Sequence, residues 1–291
     1  MNQEEKSPLD FNAAKHPTLY HYCTTATFLS IIESKSIWMS DINTMNDFGE
    51  MHWAYDMFIR AANLVIDEVG YSFIDTIDKV ISAAQLYNLP LLSSFSTEGD
   101  VLSQWRAYAD DGAGVSIGFD AKQLERLSVR VGSICYDEDI QLHHFKTMIR
   151  AMHEVHEGLP EKEKAEFLME QVPILALDMG LIKNPGFQEE KEVRLIRAVN
   201  VERNGGEWTL KDVGGSGEKL SKKRLNISYR SSLNGGVVAY LALPLRGLGS
   251  NLIKNVIIGP KNPCSGNELS MALTAHGFRG ATTLRSRSTY R

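Results

Sequence analysis

The chain has 291 residues, enough for one large domain or two modest ones around a sizeable core. Its 43% hydrophobic and 23% charged residues are ordinary for a globular protein, and a net charge of −5 excludes a global pull toward nucleic acid, leaving such binding to a local basic patch. Cys23, Cys135 and Cys264 are too few and too scattered for a disulfide framework, and no apolar run reaches the ~18 residues of a bilayer span. With a polar start that lacks an apolar signal core, the expectation is a cytoplasmic protein that does not contact membrane.

In chain order, residues 1–17 read as a flexible N-terminal arm. A strand is expected at 19–23. A helix follows at 24–36, capped by Thr24 or Thr25, with Phe28, Leu29, Ile31 and Ile32 on its buried side. A strand at 37–40 leads into a loop in which Asn46, Asp47 and Glu50 either hold a cation or cap the next helix. Helices are predicted at 51–69 and 71–87, a strand at 91–96, a helix at 101–109 and strands at 115–119 and 129–136. Residues 138–182 read as a helical insertion, divided by Pro160 and kinked or restarted at Pro173. A strand carrying Glu190 comes next, then a glycine-rich, mobile basic loop around 203–225. Strands at 237–243 and 255–259 and a helix at 263–278 complete the order. It is α+β, read as a single catalytic-type domain over 18–291.

The segment 187–197, FQEEKEVRLIR, is the first candidate for chemistry. On one continuous strand Glu190, Glu192 and Arg194 share a face while Lys191, Val193 and Leu195 take the other, so the segment is either a charged cleft wall or a solvated edge. In Tyr20-His21-Tyr22 the tyrosines share one face and His21 the other, a pattern that suits a ribose contact and ring stacking or simply a packed strand. Ser94 and Ser96 place two hydroxyls on one face, with Phe95 behind. Trp105 and Tyr108 lie three apart on one helix face. His143-His144 and His153-x-x-His156 come without a paired CxxC or an HExxH, so no metal is expected. Neither a GxGxxG nor a GxxxxGK[ST] loop is present, and no GxSxG elbow marks a serine nucleophile. Lys222, Lys223, Arg224, Arg285 and Arg287 are candidates for a polyanion contact.

Taken in order, the LYHY strand, the loop TMNDFGE, SSFSTEGDVLSQWRAYADDGAGVSIGFD, EEKEVRLI, NVIIGP and the closing SRSTYR resemble a bacterial domain-of-unknown-function family across nearly the whole chain. That family tends to carry tryptophan where this chain has Phe187. The succession of His21, Ser94-Phe95-Ser96 and Glu190-Lys191-Glu192 also resembles, more distantly, the ADP-ribosyltransferases.

This second resemblance implies a core of short, mostly antiparallel strands with helical insertions, and NAD as substrate. It implies that His21 contacts the adenosine ribose or diphosphate, that Ser94 or Ser96 supports the nicotinamide pocket, and that Tyr22, Trp105 or Tyr108 stack on a ring. Glu192 would hold the nicotinamide-ribose 2′-hydroxyl and Glu190 would activate the acceptor, RNA, DNA or protein, gripped by Lys222, Lys223, Arg224, Arg285 and Arg287. It further implies a toxin or anti-phage effector, held by a cognate antitoxin or inhibitor. Two carboxylates this close are expected to raise one pKa. A non-catalytic sensor or partner-binding module, and a metal-dependent nuclease built on Asp47, Glu50, Glu190 and Glu192, are the competing expectations.

Overall fold

The structure, a computed structural model, describes residues 7–42, 49–215, 220, 223–232 and 235–290. The Asn46-Asp47 pair and Lys222 therefore lie outside the described residues. Among the described residues, eleven strands form one sheet. They are β1 (Thr18–Cys23), β2 (Ser36–Asp41), β3 (Asn88–Ser96), β4 (Val115–Asp120), β5 (Arg130–Ser133), β6 (Glu192–Asn204), β7 (Glu207–Asp212), β8 (Ile227–Ser231), β9 (Val237–Pro244), β10 (Ile253–Ile258) and β11 (Thr282–Arg285). The order is β11-β10-β4-β1-β3-β2-β9-β8, with β6 on β3 and both β5 and β7 on β6. Every pair is antiparallel except β10 with β11. The α+β class expected from the element order is therefore observed.

Helices cover both faces. On one side α1 (Thr25–Ser34) and α8 (Gly266–Ala275) pack with Leu19, Phe95, Ile117, Phe119, Val193 and Leu195. On the other side Leu92 and Ile196 meet a layer formed by α2 (Glu50–Val69), α3 (Tyr71–Tyr87), α6 (Glu138–Gly158) and α7 (Glu161–Met179). Short helices α4 (Leu102–Tyr108) and α5 (Ala121–Leu124) flank β4. This two-sided cover explains why β6 is buried without interruption from Glu192 to Arg197, although its apolar residues still alternate. Truncating Phe119 or Phe58, each fully buried in one of the two cores, would cost about 3–5 kcal/mol.

Local chemistry sets the joints. Thr24 accepts the Thr27 N–H to start α1, and a reciprocal Ser265–Glu268 capping box starts α8. Gly70 divides α2 from α3 at φ 84°, a left-handed conformation that glycine adopts without strain. A Cβ on Gly114 would sit 2.2 Å from the Cys23 carbonyl, so only glycine lets β4 run this close to β1. Among the described residues, no helix is long and apolar enough to cross a membrane.

Three expectations need correction. The arm is anchored from its middle onward: Leu9 is fully buried, its carbonyl accepts the Ser133 N–H, and Asp10 bridges to Gly132. The first half of the expected basic loop is the β6–β7 hairpin, in which Arg203 lies over the Trp208 ring. Finally, β6 begins at Glu192, two residues later than expected, because residues 185–190 form a 3-10 helix.

Candidate active site

The site is assembled where β3, β6 and the chain entering β6 meet. After α7, Ile182 bridges to Cys135, and the Gln141 amide donates to the carbonyls of Cys135 and Lys183, which fixes the backbone of 181–183. Asn184 then accepts the Gly186 N–H and starts the 3-10 helix Pro185–Glu190, which closes at Lys191 with φ 45°. The end of β3 grips this turn: the Ser96 hydroxyl donates to the Glu190 carbonyl at 2.7 Å, and the Thr97 N–H donates to the Lys191 carbonyl at 3.0 Å. Glu190 and Glu192 thus do not share a strand face. They are brought together by the turn.

Their meeting point is Lys183, 3% exposed, whose ammonium lies 2.6 Å from Glu190 and 3.3 Å from Glu192. Arg194 completes the cluster, donating through Nε and Nη2 to the two Glu192 oxygens at 2.7 and 3.0 Å, and through Nη1 to the Gly180 carbonyl. Tyr108, 40% exposed at the end of α4, donates its hydroxyl to Glu190 at 3.0 Å. Tyr136 accepts the Glu192 backbone N–H at 3.0 Å. The Phe187 ring lies 4.7 Å from the Lys183 ammonium, a cation–π cap at a position where tryptophan would bind more strongly.

Burial opposes ionisation of Glu192, but the Arg194 and Lys183 charges, helped by hydrogen bonding from Arg194 and the nearby Ser94 hydroxyl, overcome it and hold the carboxyl below its ordinary value. Of the two acids, Glu192 is not one that its neighbour's charge raises: the Arg194 guanidinium first, and then the Lys183 ammonium, outweigh burial. Burial pushes the Tyr108 phenol up, and the Glu190 charge adds to that, so Tyr108 stays a proton donor in its hydrogen bond. The arrangement is an ionised, water-poor carboxylate held in one orientation, with a phenol and a second carboxylate nearer solvent.

The other expected site residues divide. Ser94 and Ser96 stand opposite Arg194 and Glu192 across β3–β6 and share their face, as expected. His21 does not join them. Tyr20 opposes Ser96, so His21 leaves the sheet on the opposite face, 5.5 Å from the Phe95 ring, touching the site only through the Ser94 carbonyl at 2.9 Å. Burial lowers its pKa, against the raising effect of that carbonyl.

Trp105 and Tyr22 are not available for stacking on a ligand. Trp105 is fully buried, lies edge-on to Tyr22 at 4.9 Å and donates its indole N–H to Asp100. The Tyr22 hydroxyl donates to the Glu98 carbonyl and accepts the Val101 N–H.

The basic residues do not converge either. Arg285 is committed to the carbonyls of Asn262 and Cys264, and the Arg287 backbone N–H donates to Asp100. The exposed Lys223 and Arg224 instead follow β7, where the Lys223 carbonyl accepts from Arg197. Of the histidines weighed and set aside as metal ligands, His153 and His156 pack on Phe73, and His144 pairs with Asp178. For the nuclease alternative, a divalent ion at Glu190 and Glu192 would have to displace Lys183 and Arg194, so this donor set does not fit a metal.

Sequence reasoning missed Lys183 and Tyr136. The signal for Lys183 was a lone cation at the end of the apolar run GLIK, directly before the Asn-Pro turn.

Residues 104–195 match the model of a family described as protein of unknown function (DUF2971). This supports the resemblance to a bacterial domain-of-unknown-function family, and the matched span runs from α4 into β6, enclosing Tyr108, Tyr136, Lys183, Glu190, Glu192 and Arg194. No curated protein and no solved structure matches the chain.

Proposed function

We propose that the protein is an NAD-dependent ADP-ribosyltransferase in which Glu192 is the catalytic carboxylate. The observation that carries this reading is the β3–β6 register: Ser94 and Ser96 share a face with Glu192, Ser96 pins the backbone of Glu190, and Glu192 is held ionised. Transfer of ADP-ribose breaks the bond between nicotinamide and ribose, and positive charge builds on the sugar. A fixed, ionised carboxylate in a water-poor site stabilises that charge without reorganising. Both Glu192 oxygens already accept from Arg194, one also from Lys183, so a ribose hydroxyl must share or replace one of these donors. Glu190, nearer the surface and bonded to Tyr108, is the acid–base partner for the acceptor.

The acceptor in this proposal is a macromolecule. The setting is a cytoplasmic toxin or anti-phage effector with a cognate inhibitor, which the three free cysteines suit. One observation favours a second reading, a non-catalytic partner-binding module: two carboxylates meeting two cations make a neutral, self-satisfied cluster. The deciding experiment is nicotinamide release from NAD by the purified protein, with RNA, DNA and protein extracts as acceptors. Release supports the transferase. If NAD neither binds nor is consumed under any of these conditions, the second reading stands.

A further inference from the structure

We propose that the outer face of β2, β9 and β8 is a platform for single-stranded nucleic acid, with bases stacking on Trp38 and Tyr240 and phosphates meeting Arg230. As the acceptor surface of the enzyme it rests on the transferase reading; as a binding site it does not.

The register builds the platform. Ser40 of β2 stands opposite Tyr240 of β9, which stands opposite Ser228 of β8, so Trp38, Ser40, Tyr240 and Arg230 all leave the sheet on one face. The Trp38 and Tyr240 rings lie 4.4 Å apart with a 35° tilt. The Arg230 guanidinium sits 5.9 Å from the Trp38 ring centroid and donates to the Ser40 hydroxyl. Although β2 sends Ile37 and Met39 into the core, Trp38 remains 48% exposed. The half of this large ring left open is apolar surface that a stacked base would cover.

The placement points to the candidate site. Ser40 also stands opposite Leu92 of β3, and β2 and β3 are antiparallel. Trp38, two residues before Ser40, therefore leaves the sheet on the face that also carries Ser94 and Glu192. A strand lying on the aromatic pair would run along the sheet face that carries Ser94 and Glu192.

Charge selects the occupant. From Lys219 to Arg291 the chain has twelve Lys or Arg and a single carboxylate side chain, Glu268; Arg285 and Arg287 lie at the far, β11 end of the sheet path, and the charge at the platform is that of Arg230. The platform strands β8 and β9 come from it, and the exposed Lys223 and Arg224 lead directly into β8, the last strand of the sheet path. An exposed Trp38 ring, a half-buried Tyr240 ring and a guanidinium, beside the carboxylate-free strands β8 and β9, are the elements of a sequence-tolerant single-strand site. A duplex hides the base faces that such rings need.

The test is fluorescence anisotropy with fluorescein-labelled single-stranded DNA and RNA of about 15 nucleotides, a length suited to such sites, and with the same sequence as a duplex. Single strands bind, the duplex binds at least about tenfold more weakly, and affinity falls between about 50 and 200 mM salt. Trp38→Ala with Tyr240→Ala weakens single-strand binding by about tenfold or more, Trp38→Phe largely restores it, and an unchanged thermal melt certifies the fold. Absent binding, equal binding of the double variant, or a wild-type homodimer that this variant dissociates would each overturn the proposal. Nicotinamide release without acceptor, measured on the same proteins, keeps the two ideas separate: binding without NAD consumption sinks the transferase and leaves the platform.

Discussion

Strand β6 carries two buried arginine–carboxylate pairs, one on each face, and they differ in their partners and in their route to the surface. Asp212 accepts four bonds, from Arg197 Nε and Nη2 and from the backbone N–H groups of Gly214 and Leu225. That saturates a carboxylate, and it ties β6 to the chain leading into β8. Glu192 accepts both bonds of Arg194 but shares Lys183 with a second acid, and the cluster reaches the surface through Glu190 and the half-exposed Tyr108. Similar pairing geometry therefore takes two forms: a closed pair that locks a loop, and a cluster that keeps a carboxylate charged and reaches the surface through Glu190 and Tyr108.

The largest effect should fall on the closed pair. Asp212→Asn leaves Arg197 without its counter-charge and should cost about 3–5 kcal/mol in urea unfolding, with any activity lost only in step with folding. A loss under about 1 kcal/mol would erase the distinction between the pairs.

Acid should expose both pairs. Glu192 and Asp212 are each held below their ordinary values of 4.5 and 3.8, against the burial that raises them, by ion pairs and hydrogen bonds. A depressed folded pKa adds stability above the unfolded value, and that stability is lost as pH falls through the folded one. The urea midpoint should therefore hold through neutral pH and drop on acidification below about pH 4.5. The Asp212→Asn variant should show a shallower drop. A midpoint indifferent to pH in this range would mean that neither carboxylate is held by its pair.

The smallest effect belongs to the open end. Tyr108→Phe removes one hydrogen bond to Glu190 and should cost about 0.5–1.5 kcal/mol or less in stability. It should slow acceptor modification more than nicotinamide release, since Glu190 rather than Glu192 loses its partner.

Much of this frame was legible in the sequence because period and punctuation are local. Val193 and Leu195 faced the core as their alternation required, Tyr20 and Tyr22 parted from His21, and Thr24 and Pro160 marked helix starts. Pairing across the sheet was not local. That His21 and Glu192 lie on opposite faces follows from Tyr20 standing opposite Ser96, a register no short motif encodes. The break at Lys191 had a cue in Asn184-Pro185-Gly186, but the β-prone run after it masked the 3-10 turn. Trp105 and Tyr108, three apart, looked alike; one is core and the other reaches Glu190, because Asp100 claims the indole.

The central claim is that the open cluster makes Glu192 a catalytic group, and one comparison tests it most directly. Nicotinamide release from NAD should be measured for the wild type and for Glu192→Gln at matched folding, shown by thermal melts. A fall of about 100- to 1000-fold with the fold retained is the predicted result. Equal release by both proteins, or none by the wild type with acceptors supplied, would contradict it.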